Sequence, residues 1–215
     1  MSSAAFPAIR AGAAFSAVPG GTFNYFGRSH GFPEEPQAAI RAVLHGELRP
    51  IQVGQVNGQV FLVNASFGLY PQLLEDREAF KRQWGRSRPA AWGAALLTLL
   101  GRHRLHRLHL KAGDQEQSML ASTVFVGNNR LQLEHMGLPE ASVVDDGQLL
   151  GMILRPLGRL GLVRLAVQGA LGRLGDADEV ERVVFRHLTV APGGWWRRRT
   201  VKVAMDGEQF RMRSP

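Results

Sequence analysis

The run Gln55-Val-Asn-Gly-Gln-Val-Phe-Leu-Val-Asn-Ala-Ser-Phe-Gly-Leu-Tyr-Pro71 decides the fold class. Ile51, Val53 and Val56 lead into Asn57-Gly58, and Val60, Leu62 and Asn64 follow at alternate positions. Alternation marks a strand with one buried face, because successive side chains point to opposite sides of a sheet. Asn-Gly between two such runs is the strongest short hairpin signal, since both residues accept the positive φ of a tight turn. The texture changes near Leu48, so a domain boundary is expected there, dividing residues 1–45 from residues 46–215.

Working outward, residues 105–111, 119–126, 131–135 and 149–154 read as strands separated by Gly, Asn or Asp turns. Residues 180–189 and 200–213 read the same way, with Gly193-Gly194 turning between them. Residues 71–84, 89–100 and 155–174 read as helices, the last weakened by its glycines. Toward the start, residues 34–44 carry acids in a first turn and then an apolar face, the signature of a helix. Thr22 opens a shorter helix to Arg28, after a strand over 15–18 that stops at Pro19-Gly20-Gly21. Residues 1–14 are small and featureless and read as poorly ordered. Mostly strands with inserted helices predicts an α+β chain, mainly β, built as a two-layer sandwich.

The bulk numbers narrow the function classes. Of 215 residues 45% are hydrophobic, enough for a core and too many for a disordered tail. Cysteine is absent, which excludes disulfides, thiolate metal sites and thiol nucleophiles and fits a cytoplasmic location. No apolar run approaches the roughly 18 residues of a membrane span, and the first fifteen residues lack the apolar core of a signal peptide. A net charge of +8, almost all arginine, attracts polyanions. The aromatics do not interleave with the basic residues, so nucleic acid is not expected and an anionic membrane surface is.

Several segments carry chemistry-bearing residues. In Pro19-Gly-Gly-Thr-Phe-Asn-Tyr-Phe-Gly-Arg28, glycines before a helix start let backbone approach an anion, and Thr22 either caps the helix or reaches a phosphate. Taken alone, this is also what an ordinary strand-to-helix turn looks like. In Pro139-Glu-Ala-Ser-Val-Val-Asp-Asp-Gly147, adjacent carboxylates before a glycine present oxygen ligands for a hard cation or simply make a charged turn. In Val203-Ala-Met-Asp-Gly-Glu-Gln-Phe210, the glycine permits a sharp turn that puts both carboxylates at one sheet end. His103, His106 and His109 recur every three residues but diverge where helix passes into strand, so zinc is not expected. Trp195-Trp-Arg-Arg-Arg199 joins aromatic to basic residues, as a lipid headgroup interface does.

In this order and spacing the Pro19, Gln55 and Val203 segments resemble the diacylglycerol kinase and sphingosine kinase family of lipid kinases, in its bacterial form, from about Phe15 onward. The resemblance implies a C-terminal β-sandwich domain preceded by a remnant of an α/β nucleotide-binding domain, akin to the NAD kinase plan. NAD kinase itself is a remoter match, because the Asn64-Ala-Ser66-Phe-Gly68 pattern favours lipid kinases. The implied activity is ATP- and Mg²⁺-dependent phosphorylation of a hydroxyl on a lipid such as diacylglycerol, a step of phospholipid biosynthesis, at a peripheral membrane site. Carried over residue by residue, Asp206 is the general base and Glu208 a nucleotide or metal contact. Gly21, Thr22 and Asn24 line the nucleotide cleft, and Asp146 supplies the carboxylate of a Mg²⁺ site with backbone carbonyls near Val143 and Gln148. Two departures matter: Tyr25 stands where many members have Asp, and the family's Gly-Gly-Asp-Gly-Thr nucleotide loop has no counterpart in this sequence. The chain also stops at Ser214-Pro215, short of the usual end. The isolated chain is therefore expected to be incomplete or inactive as a kinase, the alternative being a non-catalytic lipid- or partner-binding module. A homodimer that covers an open strand edge is a further expectation.

Overall fold

The computed structural model describes residues 1–20, 23–68, 105–112, 115–192 and 200–213. Helices α1 (Ser2–Arg10), α2 (Tyr25–Ser29) and α3 (Pro36–His45) come first. They are followed by β1 (Gly54–Val56), β2 (Gln59–Phe61), β3 (Asn64–Gly68), β4 (His106–Ala112), β5 (Gln115–Ala121) and β6 (Thr123–Gly127). Helix α4 (Arg130–His135), a 3-10 segment (Pro139–Asp146), β7 (Leu149–Leu154) and α5 (Arg159–Ala170) come next. Strands β8 (Val180–Phe185), β9 (Thr189–Pro192), β10 (Thr200–Met205) and β11 (Glu208–Arg213) complete the order.

Six strands form one antiparallel sheet in the order β11-β10-β3-β6-β7-β8, and β5-β4-β9 form a second of three. The expected mainly-β fold of two facing sheets with inserted helices is what the chain adopts. One face of the large sheet meets the small sheet through Val124 and Ile153 against Leu108 and Leu110. The β1–β2 hairpin covers the same face beside it, with Phe61 packed on Ala65, Val203 and Met205. The opposite face is covered by helical elements, with Leu133, Leu138 and Ala141 on Phe125, Leu150 and Met152.

Four local expectations are corrected. Residues 131–135 form helix α4: the Asn129 carboxamide accepts the Gln132 amide and starts a helix where apolar alternation had suggested a strand. Residues 1–14 contain α1, whose Ala5 is fully buried among Phe26, Leu62 and Val63. Tertiary burial holds this helix, as it does most short helices. No strand forms over 15–18. The long strands expected over 119–126 and 180–189 are each two strands, because the chain crosses between layers. It leaves the small sheet at Ser122, whose amide donates to the Leu154 carbonyl, and re-enters it at β9. The helices expected over 71–84 and 89–100 and the Trp195–Arg199 segment lie outside the described residues.

Candidate functional site

Strands β10 and β11 pair out to Met205 opposite Glu208, leaving Asp206-Gly207 as a two-residue turn with φ of 48° and 81°. Positive φ at both positions is the type I′ geometry that matches the twist of a hairpin, and Asp is one of the few side chains to tolerate it. The turn places the Asp206 carboxylate over the bend between β2 and β3. Leu62 and Val63 lie outside the β2 and β3 ladders and Asn64 opens β3, and the amides of all three need an acceptor. Asp206 provides it: Oδ1 accepts the amides of Val63 (2.8 Å) and Asn64 (3.1 Å), and Oδ2 accepts that of Leu62 (2.8 Å). The fourth donor to this carboxylate is a hydroxyl, Ser2 Oγ, 2.7 Å from Oδ2.

Glu208, across the turn, meets the start of the same helix α1. Its carboxylate accepts the Met1 amine, the Ser3 hydroxyl and, at 3.3 Å, the Ser3 amide. It therefore serves as a cap for α1 supplied from the far end of the chain. Burial works against its charge, but the hydrogen bonds from the amine and Ser3 outweigh it and hold the carboxyl below its ordinary value.

Behind the hairpin, a chain of buried amides joins segments far apart in sequence. Asn64 Nδ2 donates to Gln132 Oε1 (3.0 Å), and the Gln132 amide donates to Asn129 Oδ1 (3.0 Å). Asn129 Nδ2 donates to Ser29 Oγ (2.8 Å) and to the Tyr25 carbonyl (3.3 Å). Asn128 exchanges hydrogen bonds with Gln52 and donates to the Leu62 carbonyl at 3.0 Å. The Pro19, Gln55, Gly127 and Val203 segments are thus one connected structure. Sequence reading gave Gly127-Asn128-Asn129 no role beyond a turn and missed Ser2, Gln52 and Gln132. The legible signal was Asn129-Arg-Leu-Gln132, a helix-start pattern of capping type.

Of the remaining expected site residues, Asn24 and Asp146 lie among the described ones. Asn24 begins α2 in the left-handed region (φ 47°), on the segment that Asn129 grips. Gly21 and Thr22 lie outside the described residues. Asp146 is exposed at the end of the 3-10 segment. Its neighbour Asp145 pairs with Arg130 at 2.5 Å, and the Arg186 guanidinium donates to the Asp146 carbonyl at 3.2 Å. The Val143 and Gln148 carbonyls accept hydrogen bonds from the Gln148 amide and Gln52 Nε2, respectively. No group of three or more acidic or histidine side chains gathers among the described residues.

On the side of the large sheet facing the small one lies a cavity of about 360 Å³. Phe61, Ala65, Phe67, Val126 and Val203 give it apolar walls, and Arg186 and Arg213 are its cationic residues. That volume is in the range of small-molecule pockets, whose usual composition is apolar walls with a few polar groups. Val203 lies three residues before Asp206 on β10, roughly 10 Å of strand.

Comparison with known proteins agrees with the motifs. Residues 3–56 match the family described as Diacylglycerol kinase catalytic domain. Over 173 residues, 76% of this chain and 53% of the relative, it is 33% identical to the "Probable lipid kinase YegS-like" protein of Pseudomonas aeruginosa. A shorter match to the Bacillus subtilis "Diacylglycerol kinase" is 43% identical over 60 residues, 27% of this chain and 20% of that one. A crystal structure of a Bacillus anthracis protein assigned as a diacylglycerol kinase superposes with a TM-score of 0.63 at 23% identity, covering 92% of this chain and 62% of the other. The chain spans about half the length of the Pseudomonas relative. In its motifs, its relatives and its fold the chain is similar to the diacylglycerol kinase-like lipid kinases.

Proposed function

We propose that this chain carries the acceptor side of an ATP-dependent lipid kinase, in which Asp206 takes the proton of a lipid hydroxyl as it attacks the γ-phosphorus. The observation that supports this is the hydroxyl already on Asp206. A carboxylate offers about four acceptor positions, and three are filled by the amides of residues 62–64. The fourth faces Ser2 Oγ at 2.7 Å, within the reach required between a general base and the proton it removes. A substrate hydroxyl that displaces Ser2 meets a carboxylate fixed in orientation by three backbone donors, and positioning is most of what phosphoryl transfer asks of a protein. The hydrocarbon part of the substrate, a diacylglycerol or a lipid like it, is then held in the apolar cavity beside β3 and β10. Glu208, Asn24, Gly21 and Thr22 face the nucleotide in this reading, and residues 1–45 belong to the nucleotide-binding unit. ATP supplies the phosphoryl group and its accompanying cation neutralises phosphate charge.

The saturation of Asp206 favours a second reading, a lipid-binding module that does not transfer phosphate. Phosphate transfer from ATP to a short-chain diacylglycerol separates the two, measured for the full chain, Ser2→Ala and Asp206→Asn. In the kinase reading Ser2→Ala retains or gains turnover and Asp206→Asn loses it, roughly 100-fold or more. Lipid binding without turnover in all three proteins overturns that reading and leaves the binding module.

A further inference from the structure

Helix α5 has two faces of unequal character. Leu162 is buried and packs with Leu165 and Ala166 on Leu154, Leu157 and Val180. Residues 160, 164, 167 and 171 share the opposite stripe, at the spacing of one helix face. Three of the four are large and apolar yet exposed: Leu160 at 84%, Val167 at 50% and Leu171 at 66%. The fourth is Arg164, and Arg155, Arg159 and Arg173 flank the stripe. From Gly151 to Gly175 the sequence holds no acidic residue. Arg155 pairs with Glu181 at 3.2 Å, while no carboxylate among the described residues lies within ion-pair distance of Arg159, Arg164 or Arg173.

We propose that the outer stripe of α5 and its arginines dock the protein on an anionic membrane surface. Leucine and valine on a helix rimmed by unpaired guanidinium groups form the pattern of a helix lying in the headgroup plane. There the apolar side chains enter the acyl boundary and the arginines reach back to the phosphates. Cationic residues and the absence of acids from residues 151–175 select an anionic surface over a zwitterionic one. The net charge of +8 acts in the same sense at longer range. No helix among the described residues is long and apolar enough to cross a membrane, so contact through a helix face is the mode available to α5. The inference does not depend on phosphate transfer, because it concerns a surface away from the Asp206 hairpin.

Co-sedimentation of the full chain with vesicles, without nucleotide, tests it. Vesicles of phosphatidylcholine mixed with phosphatidylglycerol bind the protein, pure phosphatidylcholine vesicles do not, and added salt weakens binding. Replacing Arg159, Arg164 and Arg173 by Gln weakens binding roughly five-fold for each guanidinium removed. Leu160→Ser with Leu171→Ser weakens it by a separate route and lowers its residual salt-independent part. Both sets alter exposed side chains, so melting temperatures stay at the parent value, and should one set misfold the other decides. Three results overturn the proposal: no binding by the parent to either vesicle, binding unchanged in both sets, or a parent that self-associates where the leucine variant is monomeric. The last would show a second copy covering the stripe.

Discussion

Asn57-Gly58 and Asp206-Gly207 are the same turn. Each closes a two-residue hairpin with φ near 48° at the first residue and 81–82° at the second. The side chains nevertheless find different partners. Asn57 is exposed, and its Nδ2 donates one hydrogen bond, to the Arg213 carbonyl at 2.9 Å. Asp206 accepts four, three of them from consecutive amides at the bend between β2 and β3. The turn chemistry, readable as Xaa-Gly between strands, is therefore common to both. What makes one a candidate site is the set of amides that the fold delivers to it.

Replacing Asp206 by Gly breaks the comparison most severely. Glycine keeps the positive φ without strain, so only the side chain is lost. Three amides and the Ser2 hydroxyl are left to water or to nothing, at a cost of about 2–4 kcal/mol. A chemical-denaturation series reads this directly, and a loss below about 1 kcal/mol would mean that the bend does not need the carboxylate. Asn129→Ala is expected to cost somewhat less, about 2 kcal/mol, since it removes the cap of α4 and two donors to the Tyr25–Ser29 helix. Its distinguishing sign is loss of amide-exchange protection in both α2 and α4, where Asp206→Gly affects the β2–β3 bend.

A smaller effect comes from the other carboxylate of the second hairpin. The folded value of Glu208 lies below its ordinary 4.5, because hydrogen bonds from the Met1 amine and Ser3 outweigh burial. A depressed carboxyl contributes stability that is fully present above the unfolded value and is lost as pH falls through the folded one. The protein should therefore weaken as pH drops below about 4.5, and Glu208→Gln should flatten that part of the melting-temperature profile. The first hairpin has no titrating side chain in its turn and contributes nothing in this window. An unchanged acid limb in the variant would place the acid sensitivity elsewhere.

Both hairpins were legible in the sequence because local chemistry alone demands them. Strand alternation located β1, β2, β10 and β11, a short apolar run located β7, and the two Xaa-Gly turns fixed the pairing of β1 with β2 and of β10 with β11. The sequence could not show where one long apolar run divides between two sheets, at Ser122 and between β8 and β9, since both halves alternate alike. Helix α4 was misread because Leu131 and Leu133 alternate like a strand, while the deciding bond is the side chain of Asn129. Within the site, Asp206 and Glu208 were visible as paired carboxylates on a turn. Ser2 and Gln52 were not, because each acquires its partner from a segment at least 76 positions away. Long-range polar contacts leave no periodicity for a sequence to display.

The smallest expected change serves as the reference for the largest. Asn57→Gly removes one exposed hydrogen bond and relieves an asparagine held at positive φ, while glycine adds freedom to the unfolded chain. These contributions oppose one another, so the net shift should stay within about 0.5 kcal/mol. The added unfolded-state freedom is common to Asn57→Gly and Asp206→Gly and cancels when one is subtracted from the other. The relief at positive φ cancels too, because the two residues share the same φ. What remains in the difference is the hydrogen bonding of the Asp206 carboxylate, less one surface bond. If the two variants lose equal stability, the four bonds to Asp206 add nothing that a solvated turn lacks. A carboxylate so loosely held could not be the oriented base that the proposed transfer requires.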